Sequence, residues 1–397
     1  MMATLFWFSV FLILYVYAGY PALVFLLSLL YRKPVWGIDP LPTVTVLIAA
    51  YNEENVIATK LDNTLAMEYP AEKVQIIVAA DGSDDATTDI VVGYAARGVL
   101  LSYSPERGGK MAAINHAMTK ATGDIVLFTD ANNMYDAQVL HEVVQPFGTP
   151  TVGAATGAKH IVEGDGALGA SEGLYWKYES AVKQAETRLG STTGAVGELF
   201  AIRRELFEPP PSKIINDDFY MAMRVLKRGF RVIYVPTAKS YERVSLTSAD
   251  EVTRRSRIVA GRYQAMAFAP NLLPYSKNPL VVWQVISHKF LRPFVPFAML
   301  AALVTNLWLV LFPVEGGGFW ALAVPFNWIL LIFQTDFYLC AWMGAILGKR
   351  SKVGKLMYVA TFLVNSNWAA LTGAFRYLTG RQSVRWARVQ RRENPKP

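Results

Sequence analysis

The sequence predicts an α/β domain of parallel strands joined by crossover helices, set between apolar membrane segments. Three observations carry this prediction: hydrophobic residues concentrate at both ends, β-rich runs alternate with helical patterns in the middle, and an acidic turn follows each clear strand. Of 397 residues, 53% are hydrophobic and only 18% charged. That is too apolar for a purely soluble domain and excludes a disordered or fibrous chain. The net charge of +8 favours an anionic partner, whether nucleotide, lipid headgroup or nucleic acid, and does not choose among them. The single cysteine, Cys340, excludes an intrachain disulfide or thiolate metal cluster, and the four histidines are too scattered for a zinc helix motif.

The first apolar stretch, Thr4 to Tyr31, carries no charge and is followed by Arg32 and Lys33. It is longer than a signal-peptide core and lacks a basic leader, so it reads as an anchor with its carboxyl end in the cytoplasm. Phe290 to Phe312 and Phe319 to Leu347 are two further spans around the Val314–Gly318 turn, and Lys349, Arg350, Lys352 and Lys355 mark the return to the cytoplasm. Asp336 lies within the second of these, a functional hint inside a membrane. Leu356 to Leu378 reads as an interfacial or re-entrant segment, because a full crossing would carry the arginines from Arg381 to Arg392 outward.

Between these ends, Thr43–Ala49, Val74–Ala80, Val99–Tyr103 and Ile125–Thr129 read as strands. Glu54–Met67, Asp84–Ala96 and Lys110–Ala121 read as helices. The turns Tyr51-Asn52-Glu53, Asp81-Gly82-Ser83 and Asp130-Ala131-Asn132 then fall at strand carboxyl ends, the edge where open α/β sheets bind ligands. One such carboxylate is ordinarily a helix cap; three on one edge converge on a crevice. No G-x-G-x-x-G follows the first strand, and Gly108-Gly109-Lys110 lacks the Ser or Thr of a Walker loop. What remains is a nucleotide site built from carboxylates and a divalent metal, with Asp130 and Asn132 as hard oxygens. Downstream, a glycine-rich run from Thr193 enters a strand ending at Arg204, and Asn216-Asp217-Asp218 precedes a helix. Adjacent carboxylates in a partly buried cleft raise one another's pKa, as suits a proton acceptor, although Asp also favours helix starts for dipole reasons. Arg254 and Arg257 share a helix face and suit either a diphosphate or an anionic membrane surface.

The ordered set A-Y-N-E at 50–53, D-G-S at 81–83, G-G-K at 108–110, D-A-N at 130–132, N-D-D at 216–218 and R-R-S-R-I at 254–258 resembles the family-2 inverting glycosyltransferases. It is closest in kind to the membrane-integrated bacterial members that make exopolysaccharides, related to cellulose, chitin-oligomer and hyaluronan synthases. The resemblance spans essentially the whole chain, with a basic Val384-Arg385-Trp386 tail.

The resemblance implies a Rossmann-like, nucleotide-diphosphosugar transferase (GT-A type) domain flanked by transmembrane helices. It divides the chain into an anchor at 1–33, a cytoplasmic glycosyltransferase domain at 42–247, amphipathic interface helices at 248–289, membrane segments at 290–380 and a basic tail at 381–397. Localisation follows as the inner membrane. Ala50, Tyr51, Glu53 and Asp81 would hold the nucleoside of a nucleotide-sugar donor, Lys110, Arg254 and Arg257 would serve the same donor, and Asp130 with Asn132 would ligate Mg²⁺ or Mn²⁺. Asp218 takes the place of the catalytic base and Asp217 that of its acidic neighbour.

Two motifs depart from the family pattern. Asn132 replaces the second carboxylate of D-x-D, and Arg254 and Ile258 replace the Gln and Trp of Q-x-x-R-W. The missing Trp weakens the case for a long polymer and leaves a single transfer to a lipid such as ceramide or a diacylglycerol-like acceptor as the alternative to a glycan acceptor. A noncatalytic scaffold is the reading of a different class. Membrane lipid and polysaccharide-export proteins are the expected partners, and nucleic acid is not one, because the basic residues cluster beside the spans. Loops such as Gly164–Gly173 are expected to shape the sugar pocket.

Overall fold

The computed structural model describes residues 1–162, 166–242, 247–273, 278–347 and 352–383. Its centre is an eight-stranded sheet of β1 (Val44–Ala50), β2 (Val74–Asp81), β3 (Val99–Ser104), β4 (Ile125–Asp130), β5 (Met134–Tyr135), β6 (Val152–Ile161), β7 (Phe200–Arg203) and β8 (Arg231–Glu242), in the order β3-β2-β1-β4-β7-β6-β8-β5. The first four of these neighbours run parallel, as expected. The other half corrects the expectation: β7 is antiparallel to both β4 and β6, β6 pairs β8 in parallel, and β5 closes the edge antiparallel to β8. Nothing in the β-rich runs themselves encodes direction; it follows from long excursions between strands.

The helices of the domain are α3 (Ile57–Leu65), α4 (Thr87–Gly93), α5 (Lys110–Met118), α6 (Val139–Val144), α7 (Gly166–Arg188) and α8 (Asp217–Lys227), and the chain opens with α1 (Met2–Leu14) and α2 (Tyr20–Ser28). Both faces of the sheet are covered, so β1 reads as a continuous apolar run. Its residues still divide by the two-residue period of a strand: Val46 and Ile48 pack with Leu61, Val91 and Val143 on one side, whereas Leu47 packs with Ile114, Phe200 and Ala222 on the other. The register pairs Ala50 with Ala80 and Ala49 with Asp130, so the carboxyl ends of β1, β2 and β4 finish level. Residues 166–173 are the first turns of α7, not the loop expected over Gly164–Gly173; residues 163–165 lie outside the described residues. Glu172 in this stretch is fixed by Arg255, a long-range pair that local composition cannot announce.

After the domain come α9 (Ser248–Leu272), α10 (Pro279–Val285), α11 (Val295–Leu311), α12 (Phe326–Leu347) and α13 (Lys352–Leu378). Among the described residues three helices are long and apolar enough to cross a membrane: Met2–Ser28, Pro279–Leu311 and Phe326–Leu347. The second begins ahead of the expected Phe290. Each of the first two contains a wide π-helical turn, at Tyr15–Gly19 and Ile286–Phe290, and the two turns meet where Tyr15 and Ser287 share a 2.8 Å hydrogen bond. α13 lies between α9 and α12, donating from Thr361 to the Ala341 carbonyl and accepting Arg255 on Ser366. Asp336 lies on α12 with an exposed side chain, outside the cavity described below. Lys349, Arg350 and the Val384-Arg385-Trp386 tail, with Arg388, Arg391 and Arg392, lie outside the described residues.

Glu186 of α7 ties three parts of the fold together. Its carboxylate accepts from Tyr20 of α2 at 2.5 Å, from the Thr193 backbone at 2.9 Å and from Thr192 at 3.0 Å, and faces His288 Nδ1 at 2.7 Å. Burial alone would raise this carboxyl, but His288 and the surrounding donors prevail and hold it down at about 2. Because the folded value lies below the unfolded one, its stabilisation is present above the ordinary Glu range and fades as pH falls toward 2. Glu186→Gln should therefore destabilise the detergent-solubilised protein by roughly 3 kcal/mol, read as a lower midpoint of thermal unfolding. An unchanged midpoint would show that the clamp carries no stability.

Candidate active site

The level strand ends open into a cavity of about 1130 Å³ bounded by the sheet rim, α7, α8, α9 and α13. Ala50, Tyr51, Glu53, Asp81, Lys110, Asp130, Asn132, Asp217, Asp218, Arg254 and Arg257 all line it. The rim is built by a relay that begins at the end of β2. The Asp81 carboxylate, only 5% exposed, accepts the backbone N–H groups of Gly108 at 2.8 Å and Gly109 at 2.9 Å. Gly109 has φ +93°, a left-handed conformation that a side chain would oppose, and it turns the chain into α5. Lys110 is the first residue of that helix, and its ammonium reaches Asp130 at 2.9 Å and Asp217 at 3.2 Å. Burial works against this charge, but Asp130 and Asp217 outweigh it and hold the lysine above its ordinary range.

The loops after β1 and β2 are cross-linked. Ser83 accepts the Asn52 N–H at 3.1 Å and Thr87 accepts that of Glu53 at 2.8 Å. Arg107 lays its guanidinium 3.7 Å from the centroid of the Tyr51 ring, making a flat cationic shelf beside Asp81. Nothing in the sequence pattern marks Arg107, since its partner is brought in by the sheet.

Asp130 and Asn132 place a carboxylate and an amide oxygen two residues apart at the end of β4. Among the described residues no cluster of three His, Cys, Asp or Glu side chains is arranged to hold a metal. The donor set therefore suits a hard cation of the Mg²⁺ or Mn²⁺ type, which takes few protein ligands and completes its shell with phosphate and water.

Asn216, Asp217 and Asp218 open α8. Asn216 donates to the Ile258 carbonyl of α9 at 2.8 Å, and a Cβ on Gly261 would stand 2.4–2.6 Å from its amide group, so only glycine lets the two helices meet there. Asp217 turns to Lys110. Asp218 lies against Gly197 instead, where a Cβ would stand 3.3 Å from its Oδ2. Burial first, and then the charge of Asp217, push the Asp218 carboxyl up to about 6, against the lowering influence of the Phe219 N–H and Lys110.

The two arginines of α9 divide. Arg257 faces the carboxylates: Asp217, Asp130 and Asp218 all act on its charge, which burial lowers. Arg254 instead gives both prongs of its guanidinium to Glu251 at 2.7 and 3.0 Å, one turn back on its own helix. Sequence reading also passed over Lys159, which pairs on the same wall with Glu198 at 3.0 Å and with Glu242. Its partners come from the loop before β7 and the end of β8, a meeting that no local motif signals.

Residues 42–261, more than half of the chain, match the family described as Glycosyltransferase like family 2. The chain is 26% identical over 241 residues to poly-β-1,6-N-acetyl-D-glucosamine synthase of Staphylococcus aureus, covering 59% of this chain and 58% of that one. It is 24% identical over 273 residues to the probable glycosyltransferase YdaM of Bacillus subtilis, covering 62% of each. The match thus spans less than two thirds of these relatives' length. Among solved structures, the mannosyltransferase PcManGT of Pyrobaculum calidifontis, determined with GDP-mannose and Mn²⁺, superposes with a TM-score of 0.68 at 22% identity over 96% of this chain and all of that one. It shares the GT-A fold. The family match and the shared fold together place the chain in glycosyltransferase family 2.

Proposed function

We propose that the protein is a membrane-bound, inverting glycosyltransferase that moves a sugar from a nucleotide-diphosphate sugar to a glycan or lipid-linked acceptor, in exopolysaccharide or cell-surface polysaccharide synthesis. The observation that carries this reading is that Asp81, Asp130, Asp217 and Asp218, from three separate elements, share one cavity with Lys110, which pairs with Asp130 and Asp217. The relatives named as a poly-N-acetylglucosamine synthase and a mannosyltransferase support it, as does the Mn²⁺ in the latter. The three apolar helices support a multi-pass chain with its catalytic domain on the cytoplasmic side.

In this mechanism Tyr51, Glu53 and Asp81 border the nucleoside, with Ala50 presenting backbone at the end of β1, and Arg257 and Lys110 face the diphosphate. Asp130 and Asn132 would hold Mg²⁺ or Mn²⁺, which when bound supplies positive charge to the departing diphosphate. Asp218 accepts the proton of the acceptor hydroxyl as its oxygen attacks the anomeric carbon from the face opposite the leaving group. One displacement inverts the configuration, and the acidic diphosphate leaves without a general acid. Ile258 lines the cavity where the processive synthases of this family carry Trp, which favours single transfer to a lipid acceptor as the second reading; product length on a gel separates the two.

Incubation of the purified protein in detergent with UDP-, GDP- and dTDP-sugars and Mn²⁺ should release nucleotide from one donor class. No release from any of them would overturn the proposal. Asp218→Asn should lower transfer by about 10²–10⁴-fold with nucleotide affinity kept, and near-native turnover would remove Asp218 from the mechanism. The transfer rate should fall as pH drops through about 6, where Asp218 takes up a proton, reaching about a tenth one unit lower; a flat profile would contradict the assignment. Asp130→Ala should abolish the gain in nucleotide affinity that metal confers, measured by calorimetry with and without Mn²⁺.

A further inference from the structure

Beyond Asp218 the cavity continues between α7, α9 and α13, and this half holds two cations, Lys183 and Arg262, that have no hydrogen-bond or ion-pair partner among the described residues. Lys183 lines it while only 3% exposed, and among the described residues its ammonium makes no hydrogen bond and no ion pair. It rests over the rings of Trp176 at 5.5 Å and Tyr234 at 5.4 Å. The Trp176 indole N–H, on the same wall, is buried with no acceptor. Arg262 of α9 lines the same space and, among the described residues, also has neither hydrogen bond nor ion pair. Lys289 completes the group: its Nζ and the Lys183 Cε stand 3.0 and 2.9 Å from where a Cβ on Gly194 would be.

The carboxylates on this side are already engaged. Glu179 takes Arg292, Lys289 at 3.6 Å and His288 at 3.3 Å, and Glu186 is the clamp described above. Lys183, Arg262, Lys289 and Arg292 share this space with Glu179, and the charges of Glu179, Glu198, Glu186 and Asp218 act on Lys183, none of them within ion-pair distance among the described residues. Burial lowers both Lys183 and Arg262; Glu179 and the neighbouring carboxylates offset part of this at Lys183, whereas Arg292 and Arg255 lower Arg262 further. The position is on the acceptor side. Gly194 and Gly197 belong to one short segment, with the lysines against the first glycine and Asp218 against the second. The opposing wall, from α13, a helix packed on α12, sets Phe362, Leu363 and Ala370 beside the polar Ser366 and Asn367.

We propose that this half of the cavity binds the phosphate of a lipid-borne acceptor, seated among Lys183, Arg262 and Lys289 with its hydrocarbon along α13. The inference rests on the glycosyltransferase reading and names the acceptor's chemistry. A phosphate offers several acceptor oxygens to unpaired donors in a dry site, where charge-assisted hydrogen bonds are strongest.

The test uses the full chain in neutral detergent with Mn²⁺ and a saturating nucleoside diphosphate, so that the donor half is filled. Phosphatidic acid, diacylglycerol with the same chains, and inorganic phosphate are each titrated by calorimetry. Phosphatidic acid should bind saturably, at least tenfold more weakly to Lys183→Gln and Arg262→Gln, with Lys183→Arg restoring affinity. Native affinity in both variants, or equal binding of diacylglycerol, would overturn the subsite. Inorganic phosphate binding as tightly as phosphatidic acid would overturn the lipid as its source. Should Lys183→Gln fail to fold, Arg262→Gln decides alone. Failure of the native protein to bind any nucleoside diphosphate would instead sink the underlying reading, while the lipid titration still decides the subsite.

Discussion

One ammonium group holds the catalytic rim in register. Lys110 lies between Asp130 at the end of β4 and Asp217 at the start of α8, so it fixes the spacing of two elements far apart in sequence. Without it, three carboxylates would confront one another in a poorly solvated cleft, and leaving a buried ionic partner uncompensated costs about 3–5 kcal/mol. The lysine is itself placed by Asp81, whose carboxylate spends both oxygens on the turn that launches α5. A residue expected to meet the nucleoside thus also organises the turn on which the remainder of the site depends. This coupling explains why the acidic turns work as a set.

The membrane helices are part of the same construction. Arg255 reaches Glu172 of α7 and Ser366 of α13, and stacks within 4.9 Å of Tyr175 and 4.7 Å of Phe362. α13, which among the described residues falls outside the three helices apolar enough to cross a membrane, lines the cavity together with Tyr17, Lys289, Arg292 and Pro293 of those helices. Aromatic and cationic side chains of α7, α9 and α13 thus lie together at the junction of the cavity with the apolar helices.

What was legible in the sequence follows from how local each signal is. The runs of β1, β2, β3 and β4 carry their own two-sided apolar pattern, so their limits agree with expectation to within a residue or so, and the acidic turns fall at their ends. Asn216-Asp217-Asp218 was legible because a helix start and an amphipathic run announce themselves together. The opposite holds for β6, β7 and β8, whose mixed directions depend on connections and not on composition. It holds for α7 as well: its glycine-rich first turns read as loop, and its charged residues Glu172, Glu179, Lys183 and Glu186 look like a solvated face until distant partners bury them. Arg254 shows a related limit. Its spacing from Arg257 was right for a shared face, but Glu251 one turn away claims its guanidinium.

The two adjacent aspartates of α8 show how the fold assigns different chemistry to identical side chains. Successive residues of a helix diverge by about 100°, so Asp217 turns toward Lys110 while Asp218 turns toward Gly197. The direct ion pair thereby goes to the first, and the second feels Lys110 only at longer range. Asp218 is left with burial and a negative neighbour, both of which favour its protonated form, and it rises toward the range in which a carboxylate is a useful base near neutrality. Glycine at 197 leaves room for this arrangement, because a Cβ there would stand only 3.3 Å from the Asp218 carboxylate. The rise of Asp218 is thus set by burial and by Asp217, which outweigh the longer-range pull of Lys110.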